Sequence, residues 1–289
     1  MSKKVLRLLY PQWQGGTFPS YIYASQLLNF ILPKGNNTET IEAPVNLELD
    51  KQEKSNGVKN EKILLKQIEN TYNLLEIKNP EKIVTLGGDC GVSQAPFDYL
   101  HSKYPELGII WIDAHPDIQQ PTEKMDLEFA MIMGNLLGDG APQFAKIVKH
   151  PFKYNELMLA GFIKKNCLKF EKEYIEEKKI RYATPQDLEK DSSPIINWIK
   201  ENKFKHLCIH LDLDVLSPKY FMSNVYHMPN PPKFDFEPAV GELDLKTVTR
   251  IINDAGKEAE MVGFSIAEYF PWDILHMREE FSKIDILNE

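Results

Sequence analysis

The chain is poor in cysteine, has no long apolar run and carries no surplus of positive charge. Its three cysteines, Cys90, Cys167 and Cys208, lie far apart in 289 residues. They are too few and too scattered for a disulfide framework, and a reducing cytoplasm is the compartment this predicts. The one apolar run near the start, residues 5–10, ends at Pro11. It is too short for a membrane span or the core of a secretion signal, and nowhere does an apolar run reach the about 18 residues a span needs. The formal charge is −8, from 34 Lys and Arg against 42 Asp and Glu. Without a basic surplus the counterion-release drive for nucleic acid is missing, so no nucleic-acid or membrane partner is expected. A small cationic substrate is what the net field favours.

What is present is ordinary globular material: 43% hydrophobic and 26% charged residues, enough for a sizeable core. No internal repeat is visible. The loop-like stretches are 34–38, the polar 51–59 and the proline-rich 228–238, and none divides two cores, so residues 1–289 read as a single domain. Short apolar runs at 5–10, 41–45, 82–86, 107–112, 156–160, 180–182, 206–211 and 261–266 read as strands. Several are nearly continuous in apolar content, as strands covered on both faces are. Between them, amphipathic segments predict helices over 20–31 (with Ser20 as N-cap), 61–75, 94–101, 126–137, 192–200, 245–253 and 272–281. That alternation predicts an α/β fold: a three-layer α/β/α domain around a mostly parallel, doubly wound sheet of about eight strands. Ligands of such sheets gather at the carboxyl ends of the strands.

Chemistry-bearing residues fall at those ends. Asp113, His115 and Asp117 follow the run 107–112, and in extended backbone alternate residues share a side. Carboxylates with imidazole suit a divalent metal that activates water; a capping Asp beside a surface His is the bland alternative. His210, Asp212 and Asp214 share the second such face. Three ionisable groups in a row at the end of a buried strand are costly without a cation. Gly87-Gly88-Asp89-Cys90 allows a tight turn at a third strand end but lacks the spacing of a phosphate-binding or dinucleotide loop. Glu268 follows a fourth strand, and a helix-terminal acid is its equal alternative.

Gly87-Gly88-Asp89-Cys90, Asp113-Ala114-His115-Pro116-Asp117, Asp212-Leu213-Asp214 and Gly263-Phe264-Ser265-Ile266-Ala267-Glu268 together resemble the motifs of the arginase and agmatinase (ureohydrolase) family, in order and spacing, over most of the chain. The first forty or so residues match poorly. The resemblance implies an arginase-like fold and two manganese ions bridged by hydroxide, which attacks the trigonal carbon of a guanidinium. It implies Asp113 and Asp212 as bridging ligands, His115 and Asp214 completing one metal position, and Asp117 with Cys90 completing the other. Asp117 would also handle the proton moving to the departing amine, and Glu268 would pair with the substrate guanidinium. Family members are commonly trimers or hexamers, so a homo-oligomer is implied as well.

Two departures from the family pattern bear most on the chemistry. The residue after Gly-Gly-Asp, a histidine ligand in the main enzymes, is Cys90, whose thiolate suits zinc or iron(II) better than manganese. Residues 128–138, where the family carries a His-Gly segment, hold no histidine; His227 in the proline-rich loop is either its replacement or a solvated loop residue. His210, where a small polar residue is usual, is either a partner orienting Asp212 or a hydrogen-bonded core histidine. Cys208 reads as core packing and Cys167 as structural. The leading expectation is a metal-dependent hydrolase of linear C–N bonds. Its rivals are amide deacylation on the same scaffold and a catalytically silent binding protein.

Overall fold

A computed structural model describes residues 4–48, 53–229 and 239–274, with Met277, Phe281, Lys283 and Ile286. The elements run β1 (Val5–Tyr10), α1 (Tyr21–Ile31), β2 (Thr38–Glu42), β3 (Lys54–Ser55), β4 (Val58–Lys59), α2 (Glu61–Lys78), β5 (Lys82–Gly87), α3 (Gln94–Lys103) and β6 (Leu107–Ile112). They continue with α4 (Ile132–Leu137), α5 (Pro142–Ile147), β7 (Leu157–Ala160), α6 (Lys169–Glu177), β8 (Arg181–Ala183), α7 (Pro185–Lys190), α8 (Ser193–Asn202), β9 (His206–Asp212), α9 (Leu245–Glu258) and β10 (Glu260–Ala267).

Eight strands form one sheet in the order β2-β1-β5-β10-β9-β6-β7-β8, and every pair in it is parallel. All six residues of β6 are buried, as the continuous apolar run requires. Alternate residues of a strand feed opposite faces. Ile109 and Trp111 pack with Leu75 of α2, Phe97 of α3 and Ile132 of α4. Ile110 and Ile112 pack with Leu28 of α1, Trp198 of α8 and Ile251 of α9. Two separate cores on one sheet are the three-layer arrangement the alternation predicts.

Strand order is what positions the site. The last two strands return to insert between β5 and β6, so β5, β10, β9 and β6 are adjacent at the centre. These four carry the Gly-Gly-Asp-Cys turn, Glu268, the Asp212 cluster and the Asp113 cluster. Parallel direction brings all four carboxyl ends to one edge.

Some local expectations differ. The polar stretch 51–59 contains the antiparallel pair β3–β4, turning on Asn56 and Gly57 with φ of 46° and 87°. Asn-Gly supplies the two positive φ values a tight hairpin needs. Ser20 stands at the N-cap of α1, but its side chain makes no capping bond. The helix expected over 126–137 is a 3-10 turn, Glu128–Met131, followed by α4. Helices α5 and α7 are only six residues each with proline in the first turn, and α6 is highly charged; these three escape a periodicity reading. The expected helix 272–281 and the loop 228–238 lie largely outside the described residues. Among the described residues, no helix is long and apolar enough to cross a membrane.

The turn after β5 is held by backbone. Gly88 N donates to Tyr10 O at 3.0 Å and Asp89 N to Gln12 O at 3.1 Å. A Cβ on Gly88 would lie 1.6 Å from Gln12 O, and backbone on both sides leaves nothing free to move aside. Gly88→Ala is therefore expected to destabilise the fold by at least about 1–3 kcal/mol, read as a lower denaturant midpoint. An unchanged midpoint would mean that the two segments are not held this closely in solution.

Candidate metal centre

Asp89 opens the 3-10 turn Cys90–Ser93 and serves as a clamp. Its Oδ1 accepts from Gln12 Nε2 at 2.9 Å and Gly91 N at 3.0 Å. Its Oδ2 accepts from Gly15 N at 2.8 Å and Gly16 N at 3.3 Å. Four donors account for this carboxylate, although burial still pushes it up to about 6.

The acids beyond it are less well supplied. Asp113 accepts from Trp111 Nε1 at 2.9 Å and from His115 N at 2.6 Å. Burial and the nearby Asp214 push it up to about 6. Asp212 accepts from Asp214 N at 2.6 Å and from the Cys90 thiol at 3.1 Å, and burial with the neighbouring acids holds it well above the usual range. His115 Nδ1 lies 2.9 Å from Asp214 Oδ2 and 3.5 Å from Asp113 Oδ1. Burial opposes its charge, but Asp214 and Asp113 outweigh that and hold it well above the usual range. With its side chain 37% exposed, it is the most open of these residues. Asp117 adopts φ of 48°, a left-handed conformation costly for a residue other than glycine. It is buried, and its Oδ2 has no hydrogen-bond partner. Burial, then Asp113, raises its pKa well above the ordinary value.

Glu268 also has positive φ, 61°, fixed by its N donating to Gly88 O at 2.9 Å. Tyr21 Oη donates to its Oε2, and Cys90 Sγ lies 3.7 Å from its Oε1. Burial pushes both Glu268 and the Cys90 thiol well up.

Among the described residues, two groups of side chains could each hold an ion: Cys90, Asp113, His210 and Asp212, and Asp113, His115 and Asp214, with the donor atoms of each group within 4.8 Å of one another. Asp113 belongs to both. Asp117 falls in neither, although its charge acts on Cys90 and Asp212; Glu268 stands beside Cys90. The donor set fits divalent metal on two grounds. Several carboxylates crowd a buried edge, with the imidazole of His115 beside only Asp113 and Asp214, and Asp117 Oδ2 and His210 Nε2 are buried without partners.

From the sequence His210 was either a partner orienting Asp212 or a hydrogen-bonded core histidine; the structure puts a ring nitrogen of His210 among the candidate ligands, and the signal was the i, i+2 spacing with Asp212. Tyr21 was missed, because nothing local ties it to a residue 247 positions later. Glu128, in the segment without a histidine, is buried near Asp89 with Oε2 unpartnered. His227 Nε2 lies 2.8 Å from Pro218 O and belongs to neither group. Cys167 lies 3.2 Å from Glu171, and Cys208 is in the core.

Fold and site define a class: a doubly covered parallel-sheet protein with a carboxylate-rich centre at the ends of its central strands. The family model described as the arginase family matches residues 23–223, and the chain belongs to that family. It is 26% identical over 175 residues to an arginase of Staphylococcus aureus (strain MRSA252), covering 58% of this chain and 57% of that protein. The match thus spans little over half the length of that relative. Among solved structures, the arginase of Bacillus caldovelox aligns with a TM-score of 0.77 at 19% identity, covering 93% of this chain and 92% of the other. A formimidoylglutamase of Bacillus subtilis aligns with a TM-score of 0.67 at 16% identity, covering 93% and 79%. These structural likenesses bear on fold.

The crowded acids give a pH signature in metal-free protein. Asp113, raised on folding from 3.8 to about 6, holds its proton more tightly folded than unfolded. Its contribution is therefore full below about 3.8 and lost as pH rises through about 6. Asp113→Asn mimics the neutral acid at every pH, and any fixed cost of the amide cancels in the slope. Between about pH 4 and pH 7, the metal-free variant is expected to gain on the metal-free parent by on the order of 1–3 kcal/mol in denaturant titrations. A gap that stays flat over that range would contradict the crowding described.

Proposed function

We propose that the chain is a metal-dependent hydrolase that cleaves a linear C–N bond of a guanidino or amidino compound. The observation that supports this reading is the meeting of ligand-type residues from the ends of three strands, β5, β9 and β6, with Glu268 at the end of β10 beside them, in a member of the arginase family. Bound there, a pair of divalent ions would supply Lewis acidity and an activated water for hydrolysis of an amidino group.

In this reading Asp113, Asp212, His115, Asp214, Cys90 and Asp117 would hold the ions, His115 and Asp214 on one side of Asp113 and Asp212 and Cys90 with Asp117 on the other. Family membership favours manganese, and the thiolate of Cys90 favours zinc or iron(II). Asp117, whose Oδ2 has no partner in the protein, holds a proton and passes it to the departing amine. Glu268 pairs with the cationic head of the substrate through the oxygen facing Cys90, and through both oxygens if the Tyr21 hydroxyl turns aside. A small cationic substrate, a cytoplasmic setting and a homo-oligomer, trimer or hexamer, complete the proposal.

Protein soaked with manganese, zinc or iron(II) and screened for urea and ammonia release across guanidino compounds tests it. Metal-dependent turnover is expected, with none in Asp113→Ala; unchanged activity in that variant rules out this site. Less than one metal ion per chain after soaking removes the hydrolase reading in favour of a binding protein. Glu268→Gln is expected to lower kcat/KM for a cationic substrate about 10–100-fold, and Cys90→His to shift metal preference toward manganese.

A further inference from the structure

His210 lies at 0% exposure on the central strand β9, and its two ring nitrogens have different surroundings. Nδ1 is 2.8 Å from Ser93 Oγ and 3.1 Å from Ser265 Oγ. Nε2 has no hydrogen-bond partner at all. A buried nitrogen left in this way forfeits free energy unless something else occupies it. Nothing local lets the ring turn to relieve it. Trp111, its register partner on β6, stacks on the ring at 3.6 Å between centroids and 11° between planes. The same Trp111 donates its Nε1–H to Asp113.

A ring nitrogen of His210, Cys90 Sγ and carboxylate oxygens of Asp113 and Asp212 all lie within 4.8 Å of one another, and of the two ring nitrogens Nε2 is the one that no protein group occupies. Donor atoms about 2.0–2.3 Å from a shared ion lie at most about 4.6 Å apart, so these four close on one ion with little movement. We infer that His210 is itself a metal ligand, through Nε2, in a mixed thiolate, imidazole and carboxylate position with Cys90, Asp113 and Asp212, and that this position takes zinc or iron(II). The inference rests on the metal-hydrolase reading and adds to it a ligand and a metal preference.

The chemistry balances without further groups. Nδ1 keeps its hydrogen and donates it to the serine hydroxyls, which fixes the tautomer that leaves the Nε2 lone pair available. The Cys90 thiol releases its proton to solvent as the ion binds, and its bond to Asp212 is replaced by metal contacts from both residues. Imidazole and thiolate beside hard carboxylates suit a borderline metal better than manganese.

The test uses the full chain, labelled with 15N-histidine, with and without zinc. Long-range 1H–15N correlation reads both nitrogens of each ring. His210 is identified by its loss in His210→Gln or, where that variant does not fold, by the ring-current shift from Trp111. Zinc is expected to move Nε2 from its free, unprotonated resonance to a metal-bound one while Nδ1 stays protonated. Zinc taken up with Nε2 of His210 unmoved overturns the inference and leaves the hydrolase reading standing. A wild-type chain that takes up no zinc, manganese or iron(II) overturns both. In chelator competition, folded His210→Gln is expected to weaken one zinc position by more than about 100-fold, and Ser93→Ala, which keeps the imidazole, by less. Equal affinities in His210→Gln and the parent also overturn the inference.

Discussion

The arrangement at the strand ends depends on how several carboxylates are buried side by side when one imidazole, that of His115, stands against only two of them, Asp113 and Asp214. Donor supply separates them into two kinds. Asp89 receives four hydrogen bonds from Gln12, Gly15, Gly16 and Gly91, and these tie the N-terminal segment to the turn after β5. Asp113, Asp212 and Asp214 receive fewer, and Asp117 leaves an oxygen with none. An acid fully supplied by backbone and amide donors is a structural part. Acids left short, and facing one another, keep their lone pairs available for an ion, at a cost that an ion removes.

That cost is met by the layer of side chains one pleat earlier on the same strands. Thr85, Ser265, His210 and Trp111 stand in register across β5, β10, β9 and β6. Two residues further along these strands come the Gly-Gly turn, Ala267, Asp212 and Asp113. Each lower residue lies beneath its neighbour on the same face, because the side-chain period of a strand is two. Trp111 braces Asp113 by a hydrogen bond and His210 by stacking, while Ser93 and Ser265 brace the far side of the imidazole. The lower layer thus sets the geometry of the upper one through rigid strands.

Apolar runs made the strands legible in the sequence, and their alternation with helices made the layers legible. Strand order was not, since the insertion of β9 and β10 between β5 and β6 depends on crossovers that no local pattern records. The acid clusters were readable because i, i+2 spacing at a strand end has a single geometric meaning, and His210 belongs to that same spacing. What hid its free nitrogen is that Ser93, Ser265 and Trp111 come from three other segments. The hairpin at Asn56-Gly57 carried a clear turn signal within a stretch whose polarity suggested a plain loop. Tyr21 was out of reach because its bond to Glu268 joins the two ends of the chain. The departures at positions 90 and 210 also meet in space: where the family pattern has lost an imidazole at Cys90, His210 brings one from the adjacent part of the sheet.

Glu268 bears on the choice between the guanidino reading and the deacylase reading. Burial keeps its carboxyl protonated well above the ordinary range, with Tyr21 on one oxygen and Cys90 near the other. A guanidinium arriving beside it changes that balance, because an opposite charge within a few ångströms favours the ionised acid. Binding then releases a proton and creates a charge-assisted pair in a dry setting, where such pairs are strongest. A neutral amide offers no compensating charge, so Glu268 would remain a protonated, buried acid with only its ordinary hydrogen bonds. On the guanidino reading, the left-handed backbone at Glu268, held by its N–H to the Gly88 carbonyl, would be strain kept for a contact with a cationic substrate. The guanidino reading accounts for that strain, and the deacylase reading leaves it without a purpose.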